Sequence, residues 1–376
     1  MDGGREALVE AKRWVVKVGS NVMLRDDWRL DRVMFAGLIR GIDALMSGGA
    51  QVTLVSSGAV ALGRQAMGVR ERPRDVATLQ ALAALGQSRL MRLYEEELGY
   101  YDRRAAQLLF SRGDLDERSR YLNARSALEA LRTFGAVPVV NENDTVATES
   151  LRFGDNDMLA AMTCGLVGAD VLVLLSDVNG ICEIEGEGES RRLGERISSV
   201  AVEDEHLDEI AGGPLSGVGT GGMRAKVAAA RVAARAGAST VVAPGRMPGV
   251  LEALARGEDV GTLMRASGEG VGGRKLWLSA GAMPVGSIWC DEGARRALVE
   301  RGASLLPSGV VAVEGEFEQG AVVDIGVGGE VFARGIAVYG ASELAVIAGR
   351  RSEEIADLLG YRVLDVVVHR DALLVL

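Results

Sequence analysis

The chain has 376 residues, 48% hydrophobic and 25% charged, which gives room for one large and one smaller globular domain. A formal net charge of −10 speaks against nucleic acid or an anionic membrane as the main partner. Two histidines, His206 and His369, and three scattered cysteines, Cys164, Cys182 and Cys290, assemble neither a metal cluster nor a Ser-His-Asp triad. No signal peptide is read at the start, no apolar run approaches the ~20 residues of a membrane span, and the unpaired cysteines suit a reducing compartment, so the expected location is cytoplasmic.

In chain order, 13–18 (R-W-V-V-K-V) reads as a buried strand with Lys17 near its end, running into Gly19-Ser20-Asn21. Helical periodicity over 30–46 stops at Ser47-Gly48-Gly49, and a strand over 51–55 ends in Ser56-Ser57-Gly58-Ala59. A long Ala/Leu-rich helix over 76–98, a strand over 105–110, a helix over 121–133 and a strand over 136–140 follow. Then come a helix over 158–167, a strand over 171–175 ending at Ser176-Asp177, an Ala-rich helix over 223–236 and a strand over 240–243. This alternation predicts an α/β fold with a mainly parallel open sheet sandwiched by helices. The segment 183–190 (E-I-E-G-E-G-E-S) reads as a solvated loop without chemistry. Glycine-rich 268–273 looks like a linker, and beyond Lys275 short Val/Ile runs separated by glycines (310–313, 321–327, 331–338), with helices over 291–301 and 342–348, predict a small, mostly-β second domain.

Chemistry-bearing residues gather at strand ends. Asn141, Glu142, Asn143 and Asp144 sit at the carboxyl end of one strand, and Gly154-Asp155-Asn156-Asp157 opens the next helix. In an open α/β sheet, ligands bind outside the carboxyl ends of the strands. Gly217-Val218-Gly219-Thr220-Gly221-Gly222-Met223-Arg224-Ala225-Lys226 opens the Ala-rich helix. A glycine-rich turn at a helix start offers backbone N–H groups and a positive dipole end to phosphate, and Lys226, about one turn inside, can lean back toward the same anion. The turn lacks the G-K-[ST] of a Walker A loop. It matches G-x-G-x-x-G at Gly217, Gly219 and Gly222, but no strand precedes it, so dinucleotide binding is set aside.

Together these stretches make the chain resemble the glutamate 5-kinases (γ-glutamyl kinases) of the amino-acid kinase family. The matching segments are V-V-K-V-G-S, V-S-S-G-A-V-A-L-G-R, G-Q-S-R-L, Y-L-N-A-R, V-P-V-V-N-E-N-D, F-G-D-N-D, S-D-V-N-G and G-V-G-T-G-G-M-R-A-K, in order from Lys17 to about Gly245. The last portion resembles a PUA domain. The resemblance implies a catalytic domain over 1–267, a linker over 268–274 and a PUA domain over 275–376. It implies ATP-dependent phosphorylation of the side-chain carboxylate of L-glutamate, the first step of proline biosynthesis, with Mg²⁺ accompanying ATP. Lys17 and Lys226 would contact the transferring phosphoryl group, and Asp157 would hold the two lysines in place. Ser57, Asp144 and Asn156 would bind glutamate: Asp144 the ammonium, Ser57 and Asn156 the carboxylates. Ser176 and Asp177 would flank the nucleotide, and Thr220, Gly221, Gly222, Met223, Arg224, Ala225 and Lys226 would cover its phosphates. Many relatives carry Thr in place of Ser176, and Thr or Ser in place of Ala225; the second change removes a hydroxyl near the nucleotide. A homo-oligomer (dimer or tetramer) and feedback inhibition by proline are further implications.

The acceptor carboxylate, with an ordinary pKa near ~4.3, is ionised at neutral pH, so the reaction needs no general base. It needs positive charge to let one anion approach another. No metal cage of protein ligands is expected, because Mg²⁺ binds mainly phosphate oxygens and water. Two other readings stay open: a sister kinase acting on another carboxylate, and an RNA-binding protein working through the PUA-like part. Acidic residues outnumber basic ones after Lys275 and aromatics are only 4% of the chain, which argues against RNA.

Overall fold

The computed structural model describes residues 4–25, 29–111, 114–115, 117–146, 156–185, 192–212, 220–266 and 284–376. The chain divides into two compact units, Met1–Gly270 and Val271–Leu376. The expected linker over 268–274 lies outside the described residues.

In the first unit, strands β1 (Arg13–Val18), β2 (Gln51–Ser56), β3 (Ala105–Phe110), β4 (Val137–Glu142) and β5 (Val171–Ser176) precede a hairpin, β6 (Cys182–Glu185) and β7 (Arg192–Arg196). They are followed by β8 (Ser199–Ala201), β9 (Ser239–Pro244) and β10 (Thr262–Arg265). The main sheet has the order β3-β4-β2-β1-β5-β9-β10-β8. All its pairings are parallel except β9 with β10. Later strands add on both sides of β1, so the chain reverses direction across the sheet beside it. That is the topological switch point where α/β sheets open a crevice at their carboxyl edge.

Side chains alternate along a strand. In β1, Trp14, Val16 and Val18 face a core that includes Phe35, Ile39 and Ile42 of the helix Arg32–Ser47 and Leu90 and Tyr94 of the helix Val76–Gly99. Lys17 therefore points to the opposite face. Helices Asp157–Val167 and Thr220–Arg235 bring small side chains to their buried faces: Ala160, Ala161, Ala229, Ala230 and Ala233 are fully buried. Alanine favours the helix and adds little bulk, which lets these backbones lie close together.

Ser57-Gly58 does more than end β2. It opens the helix Ala59–Met67, which the sequence reading did not anticipate, through Gly58 at φ +102°. Its one interior glycine, Gly63, weakens the helical signal, since Gly is a poor helix former. That glycine and Gly86 of the helix Val76–Gly99 have a packing reason. A Cβ on Gly63 would lie 1.9 Å from Leu82 O, and one on Gly86 1.7 Å from Ala59 O, so the helices Ala59–Met67 and Val76–Gly99 touch backbone to backbone. The segment expected to be a plain solvated loop also differs: Glu183 and Ile184 lie in β6, which pairs with β7. Residues 186–191 lie outside the described residues.

In the second unit, β11 (Gly286–Cys290), β12 (Val310–Glu314), β13 (Val322–Val327), β14 (Glu330–Ala337) and β15 (Val368–Val375) form a sheet of order β12-β11-β13-β14-β15. Only β11–β13 is parallel. Ile288, Val323, Ile325, Tyr339, Leu344 and Val368 centre its core. Among the described residues, no helix is long and apolar enough to cross a membrane.

Substituting Gly86→Ala is expected to destabilise the protein by about 1–3 kcal/mol or more, the range for forcing atoms into a packed contact. Gly37→Ala, in the helix Arg32–Ser47 with no atom within 4 Å of the new methyl, is expected to stabilise by about 0.5–1 kcal/mol. Denaturant titration of both variants checks the opposite signs.

Candidate active site

The carboxyl ends of β1, β2, β4 and β5 lie along one edge of the sheet, and the expected site residues converge there. Asp157 is the first residue of the helix Asp157–Val167, where the helix dipole favours a carboxylate. Its Oδ1 lies 2.6 Å from Lys17 Nζ and its Oδ2 lies 3.0 Å from Lys226 Nζ. All three residues are buried. Lys17 comes from the central strand, between Val55 of β2 and Leu174 of β5. Lys226 comes from the helix Thr220–Arg235, which starts three residues earlier than the periodicity suggested. Lys226 is therefore its seventh residue, nearly two turns inside rather than one. Two ammonium groups against one carboxylate give the trio a formal net charge of +1.

Thr220 and Gly221 begin the same helix. Gly222, Met223 and Ala225 are half-buried and Arg224 is exposed. Gly217 and Gly219 lie outside the described residues, as do Gly154 and Asp155. At the end of β5, buried Ser176 donates its hydroxyl to Asp177 Oδ1 at 3.1 Å, and Asn21 Nδ2 approaches Asp177 Oδ2 at 3.5 Å. Arg246 donates to Asn21 O at 2.9 Å, so the segment after β1 is tied to the segment after β9.

The third group lies at the ends of β2 and β4. Asn156, the N-cap of the helix carrying Asp157, directs Nδ2 to Ser56 O at 2.7 Å, to Asn141 Oδ1 at 2.8 Å and, more weakly, to Ser57 Oγ at 3.3 Å. Both amide hydrogens are thus taken up inside the protein. The expectation that Asn156 donates to a substrate carboxylate does not fit this arrangement; its carbonyl oxygen is the group left to a ligand. Ser57 Oγ, as an acceptor toward Asn156, keeps its proton for donation. Ser56 Oγ is held at 2.8 Å by the buried Tyr94 hydroxyl, whose pKa burial pushes up to about 12.

Asp144 lies in the turn after β4, half-buried, with no side-chain hydrogen bond to a described residue. Burial raises its pKa from 3.8 to about 6, Glu142 adds to the rise, and Arg72 pulls in the opposite direction. A carboxylate with no hydrogen-bond partner among the described residues suits a cationic ligand. Among the described residues, no group of three His, Cys, Asp or Glu side chains is placed to hold a metal ion.

Sequence reasoning named Asn141, Ser56 and, within G-Q-S-R-L, Gln87 without a role, and missed Tyr94 and Arg72. Gln87 was within reach of the pattern. It falls on the buried stripe Leu79, Leu82, Ala83, Gly86, Leu90, Tyr94 and Leu98, where a polar residue needs an internal partner.

The site defines a class before it defines a substrate: residues 12–243 match the amino acid kinase family, and the chain belongs to that family. Residues 286–359 match the PUA domain. The chain is 44% identical over 373 residues to the glutamate 5-kinase of Pelobacter propionicus, a match covering 99% of this chain and 100% of that one. It is 46% identical over 375 residues to the glutamate 5-kinase of Myxococcus xanthus, covering 99% and 98%. The glutamate 5-kinase of Syntrophotalea carbinolica is 45% identical over 372 residues, covering 99% of both chains.

The raised carboxyl of Asp144 has a consequence for stability. The folded state holds that proton more tightly than the unfolded chain, so this group's contribution is most favourable below pH ~4 and is lost as pH rises through about 6. Asp144→Asn is therefore expected to be more stable than wild type at pH 7–8 by roughly 1–3 kcal/mol, with the difference vanishing near pH 4. Thermal melts across that range test it.

Proposed function

We propose that this chain phosphorylates the side-chain carboxylate of L-glutamate with ATP, forming L-glutamyl 5-phosphate and ADP, the first step of proline biosynthesis. The observation that carries the reading is the buried Lys17–Asp157–Lys226 trio at the switch point, in a chain similar over its whole length to glutamate 5-kinases.

The reacting carboxylate is already ionised, so no group has to remove a proton. One Oε–P bond forms as the bond from the γ-phosphorus to the β-bridging oxygen breaks, and ADP leaves. The obstacle is repulsion between carboxylate and phosphate oxygens, and the remedy is placement plus fixed positive charge. Lys17 and Lys226 supply that charge. Asp157 forms an ion pair with Lys17 and accepts a hydrogen bond from Lys226, and so aims both ammonium groups without cancelling them. The N-terminus of the helix Thr220–Arg235 offers N–H groups to the nucleotide phosphates, with Thr220, Gly221, Gly222, Met223, Arg224 and Ala225 forming its cover. Ser176 and Asp177 flank the nucleotide. Mg²⁺ enters with ATP as part of the substrate, which suits a site whose central carboxylate is already occupied by two lysines.

Glutamate's ammonium meets Asp144 and the carbonyl oxygen of Asn156, and Ser57 donates to a carboxylate. Resemblance supports four further parts of the reading: feedback inhibition by proline, a homo-oligomeric state (dimer or tetramer), a cytoplasmic location, and a catalytic domain over 1–267 followed by a linker over 268–274 and a PUA domain over 275–376.

Coupled ADP release with glutamate, N-acetylglutamate and aspartate as acceptors tests the reading; glutamate is expected to be preferred, and the absence of glutamate-dependent ADP release would overturn it. Lys226→Ala is expected to lower kcat by ~10²–10³, the loss typical of one transition-state donor. Asp144→Asn is expected to raise the KM for glutamate while sparing that for ATP. In wild type, kcat/KM for glutamate is expected to fall as pH drops through about 6, and the variant to lose that limb.

A further inference from the structure

Asn156 does not stand alone in its pocket. Asn141 Oδ1 accepts both from Asn156 Nδ2 at 2.8 Å and from the backbone N–H of Glu142 at 2.9 Å. Asn141 Nδ2 donates to Gln87 Oε1 at 2.8 Å, and Gln87 Nε2 donates to Gln107 Oε1 at 3.2 Å. Four amides from β3, β4, the helix Val76–Gly99 and the start of the helix Asp157–Val167 thus form one chain of hydrogen bonds. Two backbone groups fix its polarity, because Ser56 O can only accept and Glu142 N–H can only donate. Asn156 Oδ1 is left facing away from this chain. It accepts from no described residue. The far end of the chain is exposed at Gln107, whereas Asn141, Asn156 and Gln87 are buried.

We propose that Gln87 is a positioning residue for substrate selection: it holds Asn141, and through it Asn156, so that the pocket turns a carbonyl oxygen toward the α-ammonium of the acceptor and favours an amino dicarboxylate over its des-amino counterpart. This deepens the function proposed above and rests on it. Gln87 touches neither nucleotide nor acceptor. Its removal leaves the Asn141 Nδ2 group buried without an acceptor, and Asn141 then turns toward another partner at the expense of Asn156. Lys17 and Lys226 are held by Asp157 and not by Gln87, so kcat is expected to change little.

The test is steady-state kinetics on the full-length protein with two variants and two ligands. Gln87→Met fills the same volume and removes the acceptor. It is expected to raise the KM for glutamate about five- to tenfold, the equivalent of one buried hydrogen bond, with kcat and the KM for ATP within about twofold. The inhibition constant of glutarate, which lacks the ammonium, is expected to change less than about twofold, so the preference for glutamate over glutarate falls. Gln87→Glu keeps an acceptor for Asn141, and exposed Gln107 can rotate away; it is expected to recover glutamate affinity to within about threefold of wild type. An unchanged glutamate KM in Gln87→Met, or an equal loss for glutamate and glutarate, would overturn the proposal. Should Gln87→Met not fold, Gln87→Glu decides alone: retained glutamate affinity supports the assignment, and a tenfold loss refutes it. Wild type that makes no ADP with glutamate would instead sink the underlying function, which is read separately in the same assay.

Discussion

Everything at the carboxyl edge depends on one carboxylate shared by two ammonium groups. Lys17, Asp157 and Lys226 are all buried, and each ion taken from water carries a desolvation penalty of several kcal/mol. Such clusters are weak evidence for stability, since well-packed apolar residues often do as well. Here the arrangement makes chemical sense. Two cations alone would repel in a low-dielectric setting, and a carboxylate on each would cancel the charge that a phosphoryl group needs. One carboxylate between two lysines keeps both in place and leaves a net +1.

The scaffold supplies these groups from elements that cannot shift independently. Lys17 lies between two parallel neighbours in the middle of the sheet. Asp157 and Lys226 stand on helices whose buried faces are lined with alanine. Ser57 is placed by a helix locked against its neighbour at Gly63 and Gly86, where no side chain fits. Rigid supports on all sides suit a reaction in which placement does most of the work.

Much of this was legible from residues alone, for physical reasons. The strands β1 to β5 are short apolar runs ending in polar turns, and the long helices have clear periodicity. The site residues stood out because carboxamides, carboxylates and lysines are concentrated where apolar strands end. The hairpin Cys182–Glu185 with Arg192–Arg196 was missed because its alternating glutamates look like a solvated charge run. The helix Ala59–Met67 was missed because Gly63, needed for close packing, weakens the helical signal. The direction of Asn156 could not be read at all. It depends on Ser56 O and on Asn141, 100 and 15 positions away in sequence, and amide polarity is decided by such partners alone. Asp144 was picked out as a cation partner, but the rise of its pKa to about 6 follows from burial and from Glu142 in the folded chain.

Asn156 belongs to the amide chain on the acceptor side, and Asp157, the very next residue, anchors the lysines on the phosphoryl side. Consecutive Cα atoms across a trans peptide are about 3.8 Å apart whatever the surrounding loops do. On the proposed reading, the spacing between nucleophile and electrophile is gauged by a single covalent unit. Breathing of the outer segments would then carry both halves of the ruler together, and the approach distance would survive motions that blur the rest of the cleft.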